Sequence, residues 1–302
     1  MLRALTIIPG LALLLTGCIA SSPKLAVDPV PLAHEVRQPH FAIFGTNKVY
    51  YMTAGKGPQT LVFVHGWACN GNFWREQVAA FRDQARLIFV DLPGHGQSDK
   101  PHRDYTTEFF ADAVLAVMKS EKVNKATLVG HSQGTAVICR VYAQGPEKVS
   151  GLVAVEGYLR SRKLPRAESQ KLIAPYRTAD YREQVKRSVT SMFPSPGTER
   201  LRAEVLKEML NTPQHVIVSP MENSFDPEQP AWDLKSVNVP LLILNVRSAT
   251  WTPEYEAYVR SLSTRTEVRT FDGVGHFLML EKPHLFNEAL TEMLRKFDLV
   301  AK

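Results

Sequence analysis

Short, continuously apolar runs recur along the chain and alternate with longer stretches of helical periodicity. The clearest runs are TLVFV, RLIFV, ATLVG, VSGLVAV and PLLILN, at residues 60–64, 86–90, 126–130, 149–155 and 240–245. Runs this short and this apolar are typical of parallel strands that are covered on both faces. The pattern therefore predicts a doubly wound α/β domain, in which helices connect the strands.

Eight strands are predicted in all, with amphipathic helices between them. The remaining strands are expected near residues 41–44, 48–53 and 266–271, and the helices near residues 72–83, 106–120, 133–145, 253–262 and 283–297. The segment 157–236 interrupts the alternation, because it contains no convincing strand. Its helical stretches are expected near residues 166–175, 179–192 and 198–211. Since core strands flank this segment on both sides, a helical cap is a simpler interpretation than a second independent domain.

Residues 1–17 have the composition of an export signal. Arg3 precedes an apolar run that is shorter than the roughly 20 residues a membrane-spanning helix needs. The run ends in LTGC at residues 15–18, which resembles the bacterial lipobox, in which the cysteine is lipidated and becomes the mature N-terminus. The resemblance implies an exported lipoprotein anchored at Cys18, and Ile19 favours the outer membrane, facing the periplasm. A plain signal peptide with a chance cysteine is the alternative.

The segment 18–40 contains four prolines and is interpreted as an extended tether between the lipid and the folded part. The folded domain is expected to begin near Phe41. It would consist of a first core segment at 41–156, the helical cap at 157–236 and a second core segment at 237–302.

The motif that carries chemistry is GHSQG at residues 130–134, which follows one apolar run and precedes a helical stretch. A serine on such a sharp strand-to-helix turn is exposed to substrate, and the helix N-terminus brings amide N–H groups close to the reacting carbonyl. As an isolated pentapeptide the motif would be weak, but its position between a strand and a helix makes it specific. Ser132 is therefore the candidate nucleophile.

Together with this motif, the chain resembles the α/β-hydrolase superfamily over roughly residues 41–300. Supporting motifs are HGW at 65–67, DLPGHGQSD at 91–99 and GVGHF at 273–277. The resemblance implies a mostly parallel eight-stranded sheet with helices on both faces and a helical cap inserted between the sixth and seventh strands.

The same resemblance implies roles for individual residues. His276 would be the general base for Ser132, and the backbone N–H groups of Trp67 and Gln133 would form the oxyanion hole. The candidates for an apolar pocket under the cap are His131, Phe277, Tyr158 and Phe193.

The carboxylate that would orient His276 departs from the usual family pattern. Most members carry an Asp after the strand that follows the cap, but residues 245–251 contain no Asp or Glu. Glu156, at the end of the preceding core strand, is the predicted acid. Haloalkane-dehalogenase-like and coelenterazine-luciferase-like members place a Glu there, as do the fungal-mycotoxin lactone hydrolases, which are more similar in using a serine nucleophile. A Ser–His dyad, a distant carboxylate such as Asp226 and a degenerate site are the alternatives.

These residues predict a serine hydrolase that cleaves a carboxylic ester or lactone through an acyl-enzyme on Ser132. A C–C bond hydrolase, a peptidase or a perhydrolase could use the same residues, and a non-catalytic ligand-binding homologue is a further alternative. Ser132 excludes dehalogenases and epoxide hydrolases, which need a carboxylate nucleophile. No cofactor is expected, and no metal is expected because no pair of histidines has metal-ligand spacing.

The net charge of +6 is concentrated in the predicted cap, since residues 159–210 hold twelve Lys or Arg against six Asp or Glu. A solvated helical face with mixed charges is one interpretation. The other is that the cap faces an anionic membrane surface beside the lipid anchor. No nucleic-acid recognition motif is present, so nucleic acid is not an expected partner.

Overall fold

The computed structural model of the chain describes residues 37–161, 163–228 and 233–301. The predicted signal peptide at 1–17, the predicted lipidation site Cys18 and most of the predicted tether lie outside the described residues. Within the described ranges, no helix is both long enough and apolar enough to cross a membrane.

A single eight-stranded sheet forms the centre of the domain. Its strands are β1 (Gln38–Phe44), β2 (Asn47–Ala54), β3 (Thr60–Val64), β4 (Arg86–Val90), β5 (Ala126–His131), β6 (Val149–Val155), β7 (Leu241–Val246) and β8 (Thr266–Phe271). They are arranged in the order β1-β2-β4-β3-β5-β6-β7-β8. β2 pairs antiparallel with β1 and β4, and all other neighbours are parallel. The mostly parallel sheet predicted from the sequence is confirmed.

Helices cover both faces of this sheet. They are α1 (Val78–Phe81), α2 (Thr107–Ser120), α3 (Gln133–Gln144), α4 (Arg166–Ile173), α5 (Tyr181–Ser191), α6 (Glu199–Met209), α7 (Gln214–Phe225), α8 (Pro253–Leu262), α9 (Leu278–Glu281) and α10 (Pro283–Lys296). On β3, Leu61 and Phe63 join one buried cluster with α10, whereas Val62 and Val64 join a second cluster with α2 and α3. Both faces of the strand are therefore buried, which explains its continuous apolar run.

The beginning of the folded domain and one core helix differ from the prediction. β1 starts at Gln38, so the folded part begins three residues before Phe41. Pro39 is compatible with this because β1 is an edge strand, where alternate N–H groups point away from the neighbouring strand. The helix predicted over residues 72–83 is a 3₁₀ helix, Gly71–Gln77, followed by the four-residue α1.

The cap is helical and lies between β6 and β7, as predicted, but it contains a fourth helix. α7 lies beyond the three predicted helical stretches, in a segment where Pro213 and Pro220 are local signals against a helix. Pro213 occupies the N-cap position, and Pro220 lies inside the helix. The indole Nε1 of Trp67 donates to the carbonyl oxygen of Ile217, 2.8 Å away, and so ties α7 to the loop after β3.

The basic stretch of the cap is partly neutralised by carboxylates that lie later in the chain. Arg177 is 2.6 Å from Glu222, and Arg166 is 2.5 Å from Glu228. Both carboxylates follow the stretch at 159–210 that was counted from the sequence. The pairing favours a solvated face of mixed charge over a uniformly basic surface.

Candidate active site

The turn between β5 and α3 carries Ser132 at its apex. The Ser132 backbone has φ 53° and ψ −118°, and a non-glycine residue with positive φ costs on the order of 1–3 kcal/mol. A Cβ atom added to Gly130 would lie 2.4 Å from the carbonyl oxygen of Gly134, and one added to Gly134 would lie 2.4 Å from that of Val64. Close backbone packing therefore requires both glycines, and this packing holds the strained turn.

His276 and Glu156 come together at the carboxyl edge of the sheet. Nδ1 of His276 lies 3.2 Å from Oε2 of Glu156, although 120 residues separate them. The other carboxylate oxygen, Oε1, accepts the backbone N–H of Val246 at 2.7 Å. Glu156 also has a positive φ of 49°, directly after β6. A carboxylate held on both oxygens can fix the imidazole ring and its Nδ1–H tautomer.

Asp226, the alternative acid, and the nearby Asp272 both have other partners. Asp272 pairs with the exposed Arg247, with Nε 2.5 Å from Oδ1. Asp226 accepts the backbone N–H of Glu228 at 3.0 Å. Among the described residues no hydrogen bond joins Oγ of Ser132 to the His276 ring, and in unliganded sites this contact is often long.

The two predicted oxyanion donors come from two chain segments, the start of α3 and the loop after β3. Gln133 is the first residue of α3, and Trp67 follows β3. The chain before Trp67 runs close to the nucleophile, since a Cβ atom on Gly66 would lie 3.0 Å from Cβ of Ser132. Within the described ranges neither amide N–H donates a hydrogen bond to another residue.

The four candidate pocket residues do not form one group. Phe193 and Phe277 are buried and stacked, with ring centroids 5.3 Å apart, and His131 lies 5.3 Å from Phe277. Tyr158 lies apart, because the residue is 38% exposed and its ring packs against that of Tyr255. Tyr158 instead borders a cavity of about 50 Å³ beside Glu156.

Two further histidines have structural positions. His65 accepts the amide N–H of Leu92 through Nε2 at 2.9 Å and donates from Nδ1 to the carbonyl of Gly66 at 2.8 Å. His95 bonds the carbonyl of Pro93 at 2.9 Å. Burial lowers the pKa of His95 to about 4 and that of His65 well below its usual value. Both rings are therefore neutral turn-stabilising groups near pH 7.

Several contacts to the His276 loop were not found from the sequence. Both carboxylate oxygens of Glu281 accept the backbone N–H of Gly275 at 3.1 Å, and burial raises the pKa of this carboxyl. The amide N–H of His276 donates to the carbonyl oxygen of Met192 in the cap, 3.0 Å away. Glu281 follows His276 by five residues, but a backbone acceptor such as the Met192 carbonyl leaves no signal in the sequence.

Metal ligation finds no support in the part of the chain that the structure describes. No group of three or more His, Cys, Asp or Glu side chains there is arranged to hold an ion. The two described cysteines, Cys69 and Cys139, are buried free thiols, and burial raises the pKa of each well above its ordinary value.

Residues 59–283 match the sequence model of the alpha/beta hydrolase fold family. The chain belongs to this family. It is 27% identical over 259 residues to the pimeloyl-(acyl-carrier protein) methyl ester esterase of Vibrio cholerae, in a match covering 82% of this chain and 98% of that protein. It is 26% identical over 252 residues to the dihydrolipoyllysine-residue acetyltransferase component of the acetoin cleaving system of Pseudomonas putida. That match covers 82% of this chain, which spans only 66% of that protein's length.

Among solved structures, this α/β hydrolase is similar to Est816, an N-acyl homoserine lactone degrading enzyme. The TM-score is 0.69 at 26% identity, and the match covers 84% of this chain and 99% of the other. The relatives of this α/β hydrolase thus include an esterase and a lactone-degrading enzyme.

Proposed function

We propose that the protein is a serine hydrolase that cleaves a carboxylic ester or lactone through an acyl-enzyme on Ser132. The observation that carries the proposal is the 3.2 Å contact between His276 and Glu156, at the same sheet edge as the strained turn of Ser132. A serine hydroxyl is a weak nucleophile at its own pKa, so it needs such a base beside it.

In the first half of the reaction, Oγ of Ser132 attacks the carbonyl carbon of the substrate and its proton passes to Nε2 of His276. Glu156 stabilises the resulting imidazolium through Nδ1–H. The negative charge that develops on the substrate oxygen is met by the amide N–H groups of Trp67 and Gln133. Collapse of this intermediate breaks the C–O bond, and His276 returns the proton to the leaving alkoxide oxygen.

In the second half, water replaces the alcohol. His276 removes a proton from the water, whose oxygen attacks the acyl carbon, and then protonates Oγ of Ser132 as the acid is released. With a lactone, the alcohol remains attached to the acyl group, so a single hydroxy acid leaves at this stage. The esterase and the lactone-degrading enzyme among the relatives support these two substrate classes.

A fluorophosphonate probe, followed by an ester and lactone panel, tests this function on the full chain in detergent. We expect the wild-type protein to be labelled at Ser132 and to hydrolyse at least one class, and Ser132→Ala to do neither. Folded wild-type protein that is not labelled would contradict the proposal and favour a non-catalytic homologue.

The proposal also includes lipidation of Cys18 and a location on the outer membrane, facing the periplasm. Its support is the LTGC sequence at residues 15–18 and the following Ile19. Metabolic labelling with an alkyne fatty acid, followed by membrane fractionation, tests it. Labelling that persists in Cys18→Ser would overturn the anchor.

A further inference from the structure

His131 immediately precedes the nucleophile, but its ring is buried rather than open to a substrate cavity. Only 1% of its surface is exposed. The ring lies among those of Trp74, His276 and Phe277, with centroids at 6.3, 4.7 and 5.3 Å. A ring enclosed in this way contacts the catalytic base rather than the bulk of a substrate.

The hydrogen-bond pattern of His131 determines where its proton lies. Burial, with a smaller contribution from His276, holds the pKa of His131 well below its usual value, so the ring is neutral and carries one N–H. Nε2 lies 2.9 Å from the carbonyl oxygen of His276. A carbonyl can only accept, so the proton is on Nε2. Nδ1 is buried and has no hydrogen-bond partner among the described residues.

The backbone of His276 is held on both sides. Its carbonyl accepts from His131, and its N–H donates to the carbonyl oxygen of Met192 in the cap at 3.0 Å. The cap approaches this loop so closely that a Cβ atom on Gly275 would lie 2.3 Å from the Met192 carbonyl oxygen. The core and the cap therefore fix the peptide groups flanking His276, while Glu156 holds its ring.

We propose that His131 is a positioning residue whose Nε2–H sets the place of His276 relative to Ser132. Because a single peptide bond joins His131 to Ser132, this hydrogen bond ties the base directly to the backbone of the nucleophile. The inference rests on the proposed serine-hydrolase function. It gives the histidine of GHSQG a role in alignment, in place of the pocket wall expected from the sequence.

A pair of variants separates the donor from the bulk of the ring. His131→Met keeps a similar volume without a donor, and we expect kcat to fall about 10–100-fold, since misplacing a catalytic group by about 1 Å costs this much. KM should stay within about threefold, because His131 does not bind substrate. His131→Gln places an amide N–H near the position of Nε2 and should recover most of the loss. Wild-type activity in His131→Met, or equal losses in both variants, would overturn the proposal.

Ile138→Ala is the matched control for stability. Ile138 is fully buried in α3, in the hydrophobic cluster on the opposite face of the sheet. If it lowers the melting temperature as much as His131→Met does and lowers kcat equally, the effect is one of stability and the proposal fails. Fluorophosphonate labelling separates a failure of the proposed function from a failure of the positioning role. Unlabelled wild type contradicts the proposed function, whereas equal labelling rates in wild type and His131→Met contradict only the positioning role.

A measurement on the wild-type protein does not depend on the folding of any variant. Long-range ¹H–¹⁵N spectra of the histidine rings report which nitrogen carries the proton. We expect His131 to be in the Nε2–H form throughout the pH range in which the protein is active. The Nδ1–H form, or an imidazolium at neutral pH, would overturn the proposal.

Discussion

The ends of β6 and β7 lie side by side, and they contribute to the site in different ways. β6 ends in Glu156, whose carboxylate lies 3.2 Å from Nδ1 of His276. β7 ends in Val246, whose backbone N–H donates to that same carboxylate at 2.7 Å. The first charged side chain after β7 is Arg247, and it turns away to pair with Asp272.

This difference shows that the position of a carboxylate in space matters more than the strand that supplies it. Parallel neighbours end at the same edge of a sheet, so an acid on either strand can reach the same histidine. Here the acid comes from β6, at a residue with a positive φ of 49°, and β7 supplies a hydrogen-bond donor that orients it. Backbone strain of this kind persists where surrounding contacts stabilise it.

The sharpest test of the comparison removes the carboxylate of β6. Glu156→Gln keeps the shape of the side chain but loses the charge that holds the tautomer of His276, and kcat should fall about 10⁴-fold. Steady-state turnover of a chromogenic ester measures kcat in this variant. Glu254→Gln, an exposed carboxylate on α8, is the control and should behave as wild type. A loss of only a few-fold in Glu156→Gln would remove Glu156 from the mechanism.

The second test moves the acid to β7. Ser248 lines the cavity of about 50 Å³ beside Glu156, whereas Ala249 does not. In the Glu156→Gln background, Ser248→Asp should therefore recover about 10–100-fold in kcat, within the range by which a positioned acid–base group contributes. Ala249→Asp is the matched control. Recovery by neither variant would show that the end of β7 cannot substitute for β6, and equal recovery by both would show that the rescue does not depend on the cavity beside Glu156.

A smaller effect is expected at the second carboxylate near the His276 loop. Burial raises the pKa of Glu281 above its ordinary value of 4.5. The folded state then binds more protons than the unfolded state, so the contribution of Glu281 to stability falls as the pH rises above about 4.5. In wild type, the melting temperature should therefore decline by at most a few degrees between about pH 4.5 and neutral pH, and Glu281→Gln should reduce this decline. Thermal denaturation of the variant and of wild type across this pH range measures the difference.

The same variant also separates the two carboxylates functionally. Glu281→Gln retains an acceptor for the N–H of Gly275, so kcat should change less than about tenfold. A loss as large as that of Glu156→Gln would show that Glu281, and not only the carboxylate of β6, supports the imidazolium.

The smallest effect is expected at Asp272. This carboxylate is exposed, and within the described part of the chain its ion pair is with Arg247 at the end of β7. Because exposed ion pairs contribute little, Asp272→Asn should leave kcat/KM within about twofold of wild type. Steady-state hydrolysis at low and high salt measures kcat/KM of the variant and of wild type. A tenfold loss would mean that the acid of β6 depends on the charge pair beside β7.

The strands were predictable from local patterns, whereas some boundaries and one helix were not. Runs such as residues 60–64 are apolar at successive positions because both faces of β3 are buried, so composition alone marks them. The start of β1 at Gln38 could not be predicted, because Pro39 is a local signal against a central strand. An edge strand tolerates it, but edge position is a property of the assembled sheet. α7 contains Pro220, a local signal against a helix, and it forms within the packed cap despite that signal.

The sequence by itself determined the order of the eight strands, the place of the cap, and Ser132 on its glycine-flanked turn. These depend on local periodicity and on backbone geometry that few residues allow. The resemblance to a known family pointed to Glu156 as the partner of His276, but only the tertiary structure shows their contact across 120 residues and the hydrogen bond from His131 to the backbone carbonyl of His276. Such contacts depend on which strands end side by side and on backbone carbonyls such as that of Met192, which every residue possesses and no sequence pattern distinguishes.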